Sequence, residues 1–220
     1  MRPEVTKHDE ENSRGFKIMT QSSALIPLVH LQENASEFFN KMQSKNADKM
    51  ICAAGCSRCC YVSLSVFESE AARIVDWFNA LDEVEQKNAV ELWKNVAGDM
   101  ALAFDGKNSE ACAFLKNNKC TIYEARPTLC RTQGGALQLK KEMPNGDITI
   151  AVDCCPLNFQ GDNSLPPKED WLDLDRLASM QSIAENQYQL RGRNLDFQEI
   201  CKKNGRVSLK KLQEWLIQKN

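Results

Sequence analysis

Four of the ten cysteines in this 220-residue chain fall within nine positions, Cys52-Ala-Ala-Gly-Cys56-Ser-Arg-Cys59-Cys60. The others follow as Cys112-x7-Cys120-x9-Cys130, the pair Cys154-Cys155, and Cys201 alone. Sulfurs two or three residues apart can converge on one point, and Gly55 permits the tight backbone this needs. Thiolates are soft ligands that suit zinc and iron–sulfur clusters. The later cysteines fall at segment ends, where loops can fold back on the first knot. The spacing therefore predicts a cysteine-rich centre closed by distant parts of the chain.

Three other readings of the same thiols compete. Free cysteine is often a small core hydrophobe, but clustering in several places argues against that. Disulfides need an oxidising compartment. Cys56-Ser-Arg-Cys59 has redox C-x-x-C spacing, but no surrounding βαβ pattern supports a thioredoxin-like site. Zinc and iron–sulfur stay open together. The first knot does not match the ferredoxin run C-x2-C-x2-C-x3-C-P, nor are there two C-x2-C pairs of the zinc-ribbon kind. Eight cysteines in this pattern suit one four-sulfur site with spare ligands, or two metals sharing sulfurs. Cys201 reads as a plain thiol, and His8 and His30 as surface residues.

Residues 1–22 read as a flexible arm without a secretory pattern, with Met19 as an alternative start. The expected setting is the cytoplasm, where thiols stay reduced. A net charge of −2 without a basic stripe gives no footprint for nucleic acid. No apolar run approaches the roughly 20 residues of a spanning helix. The expected partner is a metal ion, with no nucleic acid and no membrane; a protein partner is not identified.

Hydrophobic periodicity predicts helices over 28–45, 68–81, 83–103, 169–191 and 207–218, the last capped by Ser208. On the fourth, Trp171, Leu174, Leu177, Met180, Ile183 and Tyr188 mark the expected apolar face. Asn145-Gly146 between alternating runs predicts one hairpin over 137–153. The expected fold is mainly α, with helices around a cysteine-rich metal centre and one short β-hairpin. One domain is expected over 23–200, with residues 201–220 packing on it as a C-terminal helix.

Gly55-Cys56-Ser-Arg-Cys59-Cys60, then Ser69-Glu70-Ala71, then Cys112-Ala-Phe-Leu, then Cys120-Thr-Ile-Tyr123-Glu-Ala-Arg126-Pro127-Thr-Leu-Cys130-Arg131, and finally Cys155-Pro156, resemble the CxxCxxCC family of zinc- or iron-chelating proteins. The likeness covers about residues 50–156. It departs at Cys52, which stands one residue further from Cys56 than the pattern has it. Pro156 favours Cys155 over Cys154 as the last matching cysteine. The resemblance implies a ligand set drawn from Cys52, Cys56, Cys59, Cys60, Cys112, Cys120, Cys130 and Cys155. A longer related group methylates flagellin lysines; this chain is short for that role and has no Gly-rich nucleotide loop.

Residues beside these cysteines have expected physical roles. Arg126 and Arg131 flank Cys130, where guanidinium groups favour thiolates and donate hydrogen bonds to them; a surface pair with Glu124 is the plainer alternative for Arg126. Tyr123 packs near the site or in the core. Glu70 sits at a helix start, where a carboxylate is favourable. Three function classes follow: a thiolate metal-binding protein of zinc or iron, an iron–sulfur enzyme or electron carrier of oxidoreductase or methylase type, and a thiol redox sensor.

Overall fold

The fold is given by a computed structural model that describes residues 22–53, 55–95, 100–102, 108–161, 165–191, 195, 197–201 and 204–220. The expected arm over residues 1–22 lies outside them but for Ser22, as do Met19 and His8. Six helices are described: α1 (Ile26–Lys45), α2 (Glu68–Ala80), α3 (Glu83–Lys94), α4 (Thr128–Thr132), α5 (Leu174–Leu190) and α6 (Leu209–Lys219). Pro27 sits in the first turn of α1, where its missing N–H costs nothing. Asp82 and Glu85 close the start of α3 reciprocally, each carboxylate accepting the other's backbone N–H at 2.8 and 3.1 Å. Asp173 caps α5 through the Arg176 amide at 2.9 Å. Ser208 does stand at the N-cap of α6, but its hydroxyl makes no capping bond.

The strands are short and form four small sheets, against the single hairpin expected. β1 (Ser65–Phe67) pairs antiparallel with β9 (Arg206–Ser208), joining the start of α2 to the start of α6. β2 (Met100–Leu102) pairs with β3 (Asn108–Glu110), and β4 (Leu115–Lys116) with β5 (Lys119–Cys120). Asn117 and Asn118, both at positive φ (49° and 58°), make the tight turn between β4 and β5. The expected hairpin is present as β6 (Leu137–Glu142) and β7 (Ile148–Asp153), with Gly146 at φ 84° in its turn. β8 (Leu172–Asp173) adds to β6 in parallel.

Three helix expectations need correction, the first being that the fourth helix begins at Leu174 and not at 169, because Leu172–Asp173 pairs as β8 with β6. The third helix stops at Lys94 instead of continuing to 103, because Met100–Leu102 pairs as a strand with Asn108–Glu110. The expected end of that helix at residue 103 lies outside the described set. The buried stripe of α5 is Leu177, Ala184 and Tyr188, while Met180 and Ile183 are exposed. That helix lies against α1 through Leu177 beside Leu31 and Ala35, and against the main core through Ala184 and Tyr188. Residues 180 and 183 therefore point away from both contacts.

The main core gathers Leu25 and Leu28 of the N-terminal helix region, Ile74 and Phe78 of α2, Trp93 of α3, Phe114, Tyr188 of α5, and Leu212 and Leu216 of α6. Trp93 holds an edge-on contact with Phe114 at 5.3 Å and a tilted one with Phe78 at 5.4 Å. A smaller apolar cluster of Met42, Met50, Ala136 and Phe159 lies under β6 and β7. Among the described residues no helix is long and apolar enough to cross a membrane.

Candidate metal centre

Among the described residues, which include all ten cysteines, there is no disulfide, and six cysteines (Cys56, Cys59, Cys60, Cys112, Cys120 and Cys130) line one cavity of about 460 Å3. Each arrives on a different kind of local structure. Cys59 and Cys60 end a 3-10 turn at Arg58–Cys60. Cys112 starts a tight loop whose amide donates to the Cys60 carbonyl at 2.7 Å, so the first two cysteine segments are bonded to each other. Cys120 ends β5, and Cys130 lies in the single turn of α4.

The loop carrying Cys112 and Cys120 is bonded to the helices by Trp93 and Gln213 and closed on itself by Thr121. Trp93 Nε1 donates to Thr121 Oγ1 at 2.9 Å, Thr121 N donates to the Phe114 carbonyl at 2.8 Å, and Gln213 of α6 donates through Nε2 to the Ala113 carbonyl. Phe114 itself is 1 % exposed. A strand pair of two residues cannot hold its own position; the aromatic core and these bonds do that work.

Glu70 positions the segment of Cys130. Its two carboxylate oxygens accept from the amides of Phe67 at 3.1 Å and Thr128 at 2.9 Å, tying the start of α2 to the residue after Pro127. Complete burial raises its pKa, with the two amide bonds opposing. Gln32 of α1 reaches Thr128 Oγ1 at 3.5 Å.

The thiols are electrostatically one group, and Cys59 is its common member. It lies within electrostatic reach of Cys52, Cys60, Cys112, Cys120 and Cys130. A hydrogen bond with Cys60 lowers its pKa to about 7, burial opposes this, and the Arg126 charge helps. The same bond, then burial, pushes Cys60 up. Burial pushes Cys112 up to about 11 and raises Cys120 and Cys130. Near neutral pH the cavity thus holds mostly thiols.

Cys52 and Cys155 stand together behind this wall. They do not line the cavity, and the charge of Cys155 adds to the burial that raises the Cys52 thiol. Asn158, absent from the sequence-based set, organises this side. It accepts from Ile51 N at 2.9 Å and donates through Nδ2 to the Gly134 carbonyl at 2.7 Å and to Cys52 Sγ at 3.1 Å. Gly134, at φ 104°, also lacks a sequence signal of its own. A β-carbon there would stand 2.6 Å from Cys52 Sγ, so a glycine is required on both counts. Cys154 instead packs against the Met42–Phe159 cluster. Cys201 lies away from the cavity, paired across from Val207, with its thiol 3.5 Å from Glu68 Oε1.

Of the other expected residues, Arg126 and Tyr123 line the cavity, with the guanidinium 4.0 Å above the Tyr123 ring. Tyr123 is 55 % exposed, so it belongs to the rim and not to a core. Arg131 turns to the backbone: Nε donates to the Arg126 carbonyl at 2.9 Å, one Nη to the Glu124 carbonyl at 2.7 Å and the other to Ser36 Oγ of α1 at 3.0 Å. It clamps the loop that leads to Cys130 onto α1. His30 is exposed on α1.

The donor chemistry fits a thiophilic metal, since sulfur is nearly the sole ligating atom type here and no carboxylate lines the cavity. The sulfurs are not drawn into a closed set: among the described residues no group of three or more His, Cys, Asp or Glu side chains is placed to hold one ion. No curated protein and no solved structure matches the chain. One family model does, over residues 51–164, more than half of the chain, and its description is "Putative zinc- or iron-chelating domain". That stretch contains all the cysteines just described except Cys201, and it supports metal binding, zinc or iron, as the general function. The chain belongs to the CxxCxxCC family.

Proposed function

We propose that the chain holds zinc or iron through thiolates of the cavity, with Cys59, Cys60, Cys112, Cys120 and Cys130 as the inner donors and Cys56, Cys52 and Cys155 completing the set. The observation that carries this reading is the convergence of six cysteines from three separate segments on one cavity wall. Chance burial of core thiols does not bring so many sulfurs to one open space. Cytoplasmic conditions, which keep thiols reduced, suit such a site.

Binding has to remove protons from the raised thiols, so affinity rises with pH. Cys59 is the first donor available, since it sits nearest to neutral pH. Arg126 favours the thiolate forms of Cys59 and Cys120 by its charge. A bound metal supplies the cross-link that the short strands and single-turn α4 lack. If it is an iron–sulfur cluster, it also supplies electron transfer.

The number of sulfurs exceeds the four that a single tetrahedral zinc takes, which supports an iron–sulfur cluster or a second ion as the alternative. Anaerobic purification with elemental analysis and a visible spectrum decides between them. A colourless protein with stoichiometric zinc supports the zinc form. Broad visible absorption that bleaches on reduction supports the cluster. A chain that carries neither, and folds equally well in strong chelator, overturns the proposal. Alanine at Cys60, Cys112 or Cys130 is expected to release the metal.

A further inference from the structure

The cavity is larger than an ion needs, and its excess is apolar. Its volume of about 460 Å3 lies in the range of about 300–1,000 Å3 that small-molecule pockets occupy. Besides the sulfurs, much of its lining is hydrocarbon: Val62, Leu64, Leu115, Ile122, Leu129 and Leu209. Leu129 is 44 % exposed, so the apolar wall continues to the surface. A second cavity of about 290 Å3 shares Leu64, Pro127 and Leu129 with the first, and its own lining is mixed, with Glu70, Gln181, Ser182 and Arg206.

Charge in the lining of the first cavity has one sign. Arg126 and Lys119 are its cations, and no Asp or Glu is among its residues. Arg126 is held over the Tyr123 ring, and its Nε is buried without a hydrogen-bond partner among the described residues. Stacking fixes the plane of a guanidinium, and a buried N–H without a partner calls for an acceptor such as a carboxylate, which arginine recognises in that plane. Asn118 and Gln133 add neutral polar groups.

We infer that the cavity binds a small organic acid with a hydrocarbon body, its carboxylate on Arg126 and its chain against Leu64, Ile122 and Leu129. This deepens the metal reading and rests on it in one respect: a bound cation offsets the thiolate charge that otherwise attracts Arg126. The hydrocarbon wall is independent of the metal.

The test titrates the metal-loaded full chain by calorimetry with octanoate, octanol and octylammonium, and measures metal content in every sample. Octanoate is expected to saturate one site and to bind at least about ten-fold more tightly than octylammonium, the margin of one charge-assisted pair. Arg126→Gln is expected to weaken octanoate by about 10- to 100-fold while octanol binding is kept. Leu129→Trp is expected to weaken all three probes by filling the mouth, and Arg126→Lys to retain part of the preference for octanoate. Absence of saturable octanoate binding, equal affinity for the three probes, or an unaffected Arg126→Gln variant overturns the inference. Where Arg126→Gln does not fold, Arg126→Lys and Leu129→Trp decide it by the same probes. Full metal content without octanoate binding sinks this inference alone. Octanoate binding by a chain that never holds metal sinks the metal reading and leaves the pocket.

Discussion

The aromatic core and the cysteine cavity share a wall at Ile122 and Leu209, yet they are built on opposite principles. In the core, Phe78, Tyr188, Val207 and Leu212 are fully buried and fill space with one another. In the cavity, thiols face a space of about 460 Å3, and burial pushes Cys112, Cys120 and Cys130 toward the neutral thiol. A core closed by hydrocarbon needs nothing more, whereas converging thiols gain stability only when their protons are exchanged for a cation. The comparison teaches that the helices pack into a scaffold whose core is closed by hydrocarbon, while the cysteine loops between them leave an open cavity.

This contrast can be broken by experiment, and the largest effect is expected in the core. Phe78→Ala is expected to lower stability by about 3–5 kcal/mol, measured by denaturant unfolding, and by the same amount with and without chelator. A chelator-dependent loss would mean that core and cavity are not separate. Gly134→Ala comes next. It imposes a positive φ on a side chain and drives its β-carbon into Cys52 Sγ, at a cost of about 1–3 kcal/mol. Its effect is expected to be larger in metal-loaded protein, because Cys52 is then also mispositioned.

Glu70→Gln sharpens the boundary between the two regions. It keeps one acceptor oxygen and puts an NH2 donor in place of the other, leaving the Phe67 or Thr128 amide without its acceptor at a cost of about 1–3 kcal/mol. The expected signature is weaker metal retention in chelator competition with helical content unchanged by circular dichroism. A variant with native metal affinity would show that Glu70 serves α2 alone.

The pH response differs between the regions as well. For Cys112 the folded-state pKa is raised from 9.0 to about 11 by burial. A raised pKa means that the neutral thiol is the form that folding favours. Its contribution is full below about pH 9 and is lost as pH climbs towards about 11. Metal-free protein is therefore expected to unfold at lower denaturant at about pH 11 than at about pH 8, and mass mapping of brief alkylation near pH 7 to find Cys59 labelled well before Cys112 and Cys130. Equal labelling of the three would remove Cys59 from its special position. The smallest effect is expected at Cys201→Ala, with metal content unchanged by elemental analysis, because its thiol lies beside Glu68 and Val207 and not at the cavity.

Much of this organisation was legible before the fold was seen. The long amphipathic repeats of α1 and α2, the Asn145-Gly146 hairpin and the cysteine segments are local signals, read from spacing alone. Where reading failed, a non-local contact had overridden a local pattern. The pattern of residues 83–103 looks helical throughout, yet its end pairs as a strand with Asn108–Glu110. Both Ile183 and Tyr188 look like core positions, and only the placement of α1 and α2 against α5 decides for Tyr188.

By itself, then, the sequence determined the chemistry: soft sulfur donors in clustered segments, with a glycine for the turn and prolines beside Cys130 and Cys155. Tertiary structure alone decided which sulfurs meet. It set Cys52 beside Cys155 behind the cavity wall, sent Cys154 into an apolar cluster, turned Arg131 to backbone carbonyls, and brought Asn158 and Gly134 to Cys52. Ligand type is a property of single residues, while convergence is a property of the packing that brings residues a hundred positions apart into one space.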